Sequence, residues 1–217
     1  MNEHSVNTPL SKGGKTREKI LKHALKLFSA KGYKATTVRD IAGSIGIKQS
    51  ALYNHFKNKD EILETLISEL TTSAIVTLFD HKGGLEAHKQ GKSLLMSIAS
   101  TFKLLSFDGQ NEALFKLLMQ ELFRNEHIRE IYNEYFYQEN VKKLSGIFFA
   151  MMQEETIKSS DPLLLANEFF SPLFFYQMQV SLLKLDKKST SSVVSLFEKH
   201  VDHFWDTVKI EKQETLF

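Results

Sequence analysis

Apolar residues recur along most of this chain at spacings of three and four, the period of helices seated on a core. Between 16 and 31, Ile20, Ala24, Leu27 and Phe28 share one face, and Leu21 and Leu25 widen the stripe. Thr16 is placed to cap that helix and Gly32 to end it. A shorter helix follows Thr37, where Asp40 completes a capping box and Ile41, Ala42 and Ile45 form the apolar face. Gly46 comes just after the last apolar position, where a left-handed residue is wanted, and Ile47 plugs the space between helices. The next predicted helix, Gln49 to Phe56, turns Leu52 and Phe56 inward and leaves Gln49, Ser50, Tyr53 and His55 on other faces. Two short helices about a tight turn, walled by a third, make a helix-turn-helix unit, whose second helix enters the DNA major groove.

The remainder also reads as helices. Asn58, with Glu61 three residues on, caps a fourth helix over about 59–79, whose Ile62, Leu63, Leu66, Leu70 and Ile75 lead away from the head. His81-Lys82-Gly83-Gly84 breaks the pattern, and helices are predicted over roughly 86–106, 110–123 and 126–155. Asp161 caps a helix with Pro162 in its first turn, apolar nearly all round to about Leu185, and Pro172 should kink it. The last helix, about 190–209, carries Val194, Phe197, Val201, Phe204 and Val208 as a heptad seam. These two helices, through Phe170, Phe174 and that seam, are expected to meet their symmetry mates as a four-helix homodimer interface. The alternative is that both bury within one chain. The fold expected is all-α, with about nine helices. It comprises a flexible basic arm (1–15), a DNA-binding domain (16–60) and a larger effector-binding and dimerisation domain (61–217).

Charge sharpens this division. Residues 1–60 hold 12 Lys/Arg against 4 Asp/Glu, or +8, whereas residues 61–217 hold 16 against 22, or −6. Only one end is suited to meet a polyanion. The absence of Cys excludes disulfides and thiolate metal sites and permits a cytoplasmic location. The opening MNEHSVNTPLSKGGK has no apolar run, so no secretory signal is read there. The most apolar stretch, Leu163 to Leu183, is interrupted by Asn167, Glu168, Gln177 and Gln179, which reads as a buried helix rather than a membrane span.

Catalytic patterns are missing: there is no Gly-x-Ser-x-Gly elbow, no His-Glu-x-x-His and no dinucleotide glycine turn after a strand. Gly14-Lys15-Thr16 is not a phosphate loop, because Pro9 stands where its first Gly belongs. His200 and His203, three apart on a helix, form a pair that more often lies on a solvated face than on a metal, so no metal or cofactor is expected. The second domain is rich in soft, bulky side chains that suit an apolar cavity: Met96, Phe102, Phe115, Met119, Phe123, Phe148, Met152, Phe174 and Met178. Tyr137 and Gln177, with Tyr132, Asn167, Tyr176 and Gln179, are polar groups able to orient an apolar or amphipathic effector there.

The run from Ile20 through Phe28, then Gly32-Tyr33, Thr36 to Ala42, Gly46-Ile47, Leu52-Tyr53, His55-Phe56 and Lys59 resembles the tetracycline-repressor (TetR) family of bacterial transcription regulators. The resemblance covers about the first 65 residues. It implies a homodimeric repressor on a palindromic operator, released when a small molecule enters the larger domain. By position, Thr37 and Arg39 would contact phosphate or a base edge, and Lys48, Gln49 and Ser50 would open the recognition helix against base edges. Tyr53 and His55 would touch sugar-phosphate and Lys59 would clamp a phosphate. Lys48 departs from the family's usual Ser cap, and Ser50-Ala51 from its Gly-Thr. The rival readings are an architectural DNA binder without an effector and, less in keeping with the residues, an enzyme with a regulatory head.

Overall fold

The computed structural model describes residues 12–72 and 84–211, apart from the side chains at 12, 69–72, 84–85 and 135–137. Of the expected arm, 1–11 lie outside the described residues, as does the end of the fourth helix beyond Thr72. Among the described residues the chain is helical, with only an isolated antiparallel bridge between Ile157 and Lys209.

Helix α1 (Lys12–Lys31) begins earlier than expected and buries Ile20, Leu21, Ala24, Leu25 and Phe28. Gly32, with φ +87°, ends it, and its N–H donates to the Phe28 carbonyl at 2.9 Å. Helices α2 (Val38–Ser44) and α3 (Gln49–Tyr53) form the helix-turn-helix, with Gly46 at φ +73° between them. The third helix is shorter than its apolar spacing suggests, because Phe56 is buried from beyond the helix end. Helix α4 (Lys59–Thr72) follows, its Glu61 N–H donating to Asn58 Oδ1 at 2.8 Å.

A 3-10 turn (Gly84–Gln90) precedes α5 (Lys92–Leu105) where one continuous helix was expected. Gly91 separates them at φ +52°, and a Cβ there would meet the Trp205 ring at 3.0 Å, so the indole needs this glycine. Asp108 caps α6 (Gly109–Glu121) by accepting from Asn111 N–H at 2.8 Å. The expected helix over 126–155 is α7 (Glu126–Ile131), a π-helical stretch (Tyr132–Gln138) and α8 (Glu139–Gln153). Asp161 caps α9 (Pro162–Leu185), accepting from Leu163 and Leu164 N–H at 2.8 and 3.0 Å. Pro172 lies inside α9 without ending it, although its ring nitrogen cannot donate to the preceding turn. Nearby, the Phe169 carbonyl accepts from His200 Nε2 at 2.9 Å. That histidine belongs to α10 (Ser191–Val208), and burial pushes its pKa down, towards the neutral ring.

Two cores result. The larger joins α5, α8, α9 and α10 and contains Phe102, Phe148, Phe169, Phe197, Val201, Phe204 and Val208. The heptad seam of α10 is therefore closed inside one chain, and Phe197, Val201, Phe204 and Val208 are unavailable to a second copy. Val194 packs on the same core, and Phe170 packs on Phe102 and Phe169 at ring distances of 6.1 and 6.0 Å. The second core is that of the head, and it is not the head's alone. Leu114, Leu117 and Leu118 of α6 and Ile128 and Ile131 of α7 complete it. No helix among the described residues is long and apolar enough to cross a membrane.

Candidate nucleic-acid interface

The recognition face is built outward from the head core. Ile41, Ala42, Leu52 and Phe56 are buried beneath α2 and α3, which leaves Lys48, Gln49, Ser50 and Tyr53 on the outer side, all exposed, Tyr53 by 48%. Gln49 Nε2 donates to Tyr53 Oη at 3.3 Å, one turn along α3. The amide retains its oxygen and a second N–H, the pair that an adenine edge requires. Lys48 stands at the cap position without a side-chain cap bond, so its ammonium is not engaged by α3's own backbone.

Thr37 and Asp40 form the expected capping box. Asp40 N–H donates to Thr37 Oγ1 at 3.1 Å, and Asp40 Oδ2 accepts from Thr37 N–H at 2.8 Å. Hydrogen bonds from the Thr37 hydroxyl and N–H, reinforced by Lys31 and Arg39, hold the Asp40 carboxyl below its ordinary pKa. Thr37 is thus turned toward α2, and Arg39 beside it is exposed. His55 is half-buried rather than standing free on the surface.

Lys59 is held from within the head. Its Nζ donates to the Tyr33 and Thr36 carbonyls at 2.8 and 2.9 Å and lies 4.1 Å from the Tyr33 ring centroid. Two of its three donors hold the turn between α1 and α2, so at most one is left for a phosphate. Tyr33 Oη in turn donates to Asp60; burial first, then this bond, pushes the Tyr33 pKa well up. Arg17, which its place in the sequence did not single out, stacks 4.7 Å above the Phe56 ring and donates to Thr65 Oγ1 at 3.4 Å, tying α1 to α4.

Behind the head, α6 has two working faces. Leu114, Leu117 and Leu118 enter the head core, whereas Glu112 and Phe115 meet Lys184 and Phe174 of α9, and Lys116 pairs with Glu112 on α6 itself. Phe115 meets Phe174 at a ring distance of 5.6 Å, and Tyr132 of the π-helical stretch lies 6.3 Å from Phe174. Helices α6 and α9 touch through these long side chains rather than by close backbone packing. Of the expected pocket residues, Phe115 and Phe174 are brought to this junction, and Gln177 is buried one turn along α9 from Phe174. Phe102 and Phe148 are core of the larger bundle, and Met96 and Met152 pack on that core. Met119 packs on the head core, Met178 is half-buried, and the Tyr137 side chain lies outside the described residues. Phe123 is 86% exposed past the end of α6 and lines nothing.

Residues 20–66 match the family model described as bacterial regulatory proteins, tetR family. The head of the chain is of the TetR type. The transcriptional repressor KstR2 of Mycolicibacterium smegmatis is 43% identical over 63 residues, 29% of this chain and 30% of its own length. The biofilm operon negative regulator IcaR of Staphylococcus aureus strain Newman is 38% identical over 77 residues, 36% of this chain and 37% of its length. The match therefore spans about a third of each of these relatives. Both are named as transcriptional regulators, not as enzymes. Among solved structures, the SmeT–triclosan complex aligns with TM-score 0.71 at 16% identity over 94% of either chain. The TetR-family regulator PfmR of Thermus thermophilus aligns with TM-score 0.65 at 20% identity over 90% of this chain and 97% of that one. At such identities the likeness shows the fold, which thus extends through the helices behind the TetR head.

Proposed function

We propose that this chain is a TetR-family, homodimeric, ligand-responsive regulator that holds a palindromic operator and releases it when an apolar or amphipathic small molecule enters between α6 and α9. The observation that carries the DNA-binding part is the exposed row Lys48, Gln49, Ser50 and Tyr53 on a short helix whose inner face is fully anchored. Arg39, Lys34 and Lys57 flank it as exposed cations able to meet phosphates. The two-faced α6 supports the ligand response. A molecule that wedges α6 from α9 moves Leu114, Leu117 and Leu118, and with them the floor of the head. For that to shift the equilibrium, the ligand must bind the displaced arrangement better than the DNA-bound one. SmeT is recorded with triclosan, a small molecule, which favours this reading over an architectural binder with a solid second domain.

The dimer face we assign lies one stripe away from the buried seam. On α9, Leu164, Phe175 and Leu182 are 53%, 50% and 49% exposed and lie along one side, and Leu196 of α10 is also exposed. Operator selection from random duplex DNA, followed by binding with Gln49→Ala, tests the base-reading assignment. Discrimination should relax at the contacted position by about 1–3 kcal/mol while non-specific affinity is kept. Unchanged discrimination would remove Gln49 from the interface.

A further inference from the structure

Beyond the Phe115–Phe174 ring pair, one face of α9 carries Gln177, Ser181 and Lys184 at i, i+4 and i+7. Gln177 and Ser181 are more than nine-tenths buried, and neither side chain has a hydrogen-bond partner among the described residues. Their polar atoms are not wholly shielded, so an amide and a hydroxyl stand open to a partner within an otherwise covered stretch. Their direction follows from their flanks: Phe174 meets Phe115 and Lys184 meets Glu112, both on α6. By helical register the two polar residues between them lie on this same side of α9.

At the far end of this side of α9, two ammonium groups share one carboxylate. Lys116 Nζ lies 2.6 Å from Glu112 Oε1, and Lys184 Nζ donates to Glu112 Oε2. Lys184 also reaches the Ser106 carbonyl at 3.3 Å and lies 5.2 Å from the Phe107 ring centroid, neither of which neutralises it. The group is left one positive charge in excess, and its side chains are only 14–28% exposed. Burial works against the charge on Glu112, but the hydrogen bonds and charges of the two lysines outweigh it and hold its pKa below the ordinary value. Glu112 is saturated; the lysines are not.

We infer that the gap between α6 and α9 takes an amphiphile with an anionic head: its apolar body lies among Phe115, Tyr132 and Phe174, Gln177 and Ser181 hydrogen-bond along its length, and a carboxylate or phosphate is held by Lys116 and Lys184. The inference rests on the effector reading above and adds the sign of the effector's charge. A cationic head would meet two ammonium groups, and a neutral one would leave their excess charge unmet. Entry of the anion competes with Glu112 for the lysines. Ligand binding then loosens the tie between α6 and α9 at the point where α6 also supports the head.

Calorimetric titration of the purified full chain with dodecanoate, monododecyl phosphate and dodecan-1-ol, each below its aggregation limit, tests this. At least one anion should bind about tenfold or more tightly than the alcohol, since charge-assisted bonds are the stronger ones. Glu112→Gln should tighten binding of that anion, because it removes the competing carboxylate, and leave the alcohol unchanged. Lys184→Met should erase the preference, and the better of the two anions identifies the head group. A merely structural ion cluster would give the opposite result for Glu112→Gln, a loss of stability with no gain in affinity. Equal affinity for all three compounds, binding of none, or anion affinity unmoved by Glu112→Gln would overturn the assignment. Operator release by dodecan-1-ol would in that event leave the effector reading standing, whereas an operator complex indifferent to every apolar compound would remove that reading as well.

Discussion

Replacing Phe175 and Leu182 together by glutamate will convert the protein into a folded monomer that no longer holds its operator. Both side chains are about half exposed on the outer side of α9, in line with Leu164, whereas their neighbours Phe169, Leu173 and Val180 are buried in the chain's own core. A twofold contact through this stripe buries each of them twice. If half of each side chain remains to be covered, the four copies contribute about 3–6 kcal/mol to association. Losing that weakens dimerisation roughly 10²- to 10⁴-fold, before the mutual repulsion of four carboxylates is added. Because the sites face outward, helicity and melting of the isolated chain should change little. A half-site held by one head has few phosphate contacts, so operator affinity should fall at least about a hundredfold. Sedimentation at micromolar concentration reads the mass directly. A dimer that survives both substitutions would place the interface elsewhere.

The second large effect concerns Leu117. It is fully buried in the head core although it belongs to α6, well beyond the recognition helix in the chain. Leu117→Ala should cost about 2–5 kcal/mol, the transfer and cavity terms of a packed leucine. For a chain of this size that lowers the melting temperature by roughly 4–20 °C. The chain's single Trp, Trp205, gives a probe on the opposite side, packed on Gly91 in the larger bundle. If α6 binds head and bundle into one cooperative unit, tryptophan fluorescence and far-ultraviolet dichroism will shift together. An early loss of helicity with an unmoved Trp205 transition would show a head that melts independently, and it would deprive α6 of its role as the coupling element.

Much of the head was legible because its determinants are local. Thr37 with Asp40, Asn58 with Glu61 and Asp161 before Pro162 act within four residues, and each cap is where the sequence places it. The seam of α10 shows the opposite case. A three-four spacing says that Phe197, Val201 and Phe204 are covered, but not by what, and the partners Phe148, Phe169 and Tyr176 come from other helices. The stripe meant for a second copy therefore closed within the chain. The inward hold of Lys59 is hidden for a related reason: a long cation can fold back as readily as reach out, and the two carbonyls that hold it lie more than twenty residues earlier. Glu112 and Lys184 are 72 residues apart, and no periodicity links them. Phe123 was counted with the pocket by composition alone, yet it points to solvent. The π-helical stretch over Tyr132–Gln138 is invisible to spacing, since its residues continue the helix on either side.

The central claim is that the cationic TetR head of a dimer reads a duplex through α3. The measurement that tests it most directly is the salt dependence of binding to a selected operator beside an unrelated duplex and heparin. Lys34, Arg39, Lys48 and Lys57 are exposed on each head. If each contacts one phosphate, the logarithm of the binding constant should fall with the logarithm of salt at a slope of about −7 for the dimer. The selected duplex should remain favoured over the other polyanions throughout. A slope near zero, or equal affinity for operator and heparin, would contradict the account.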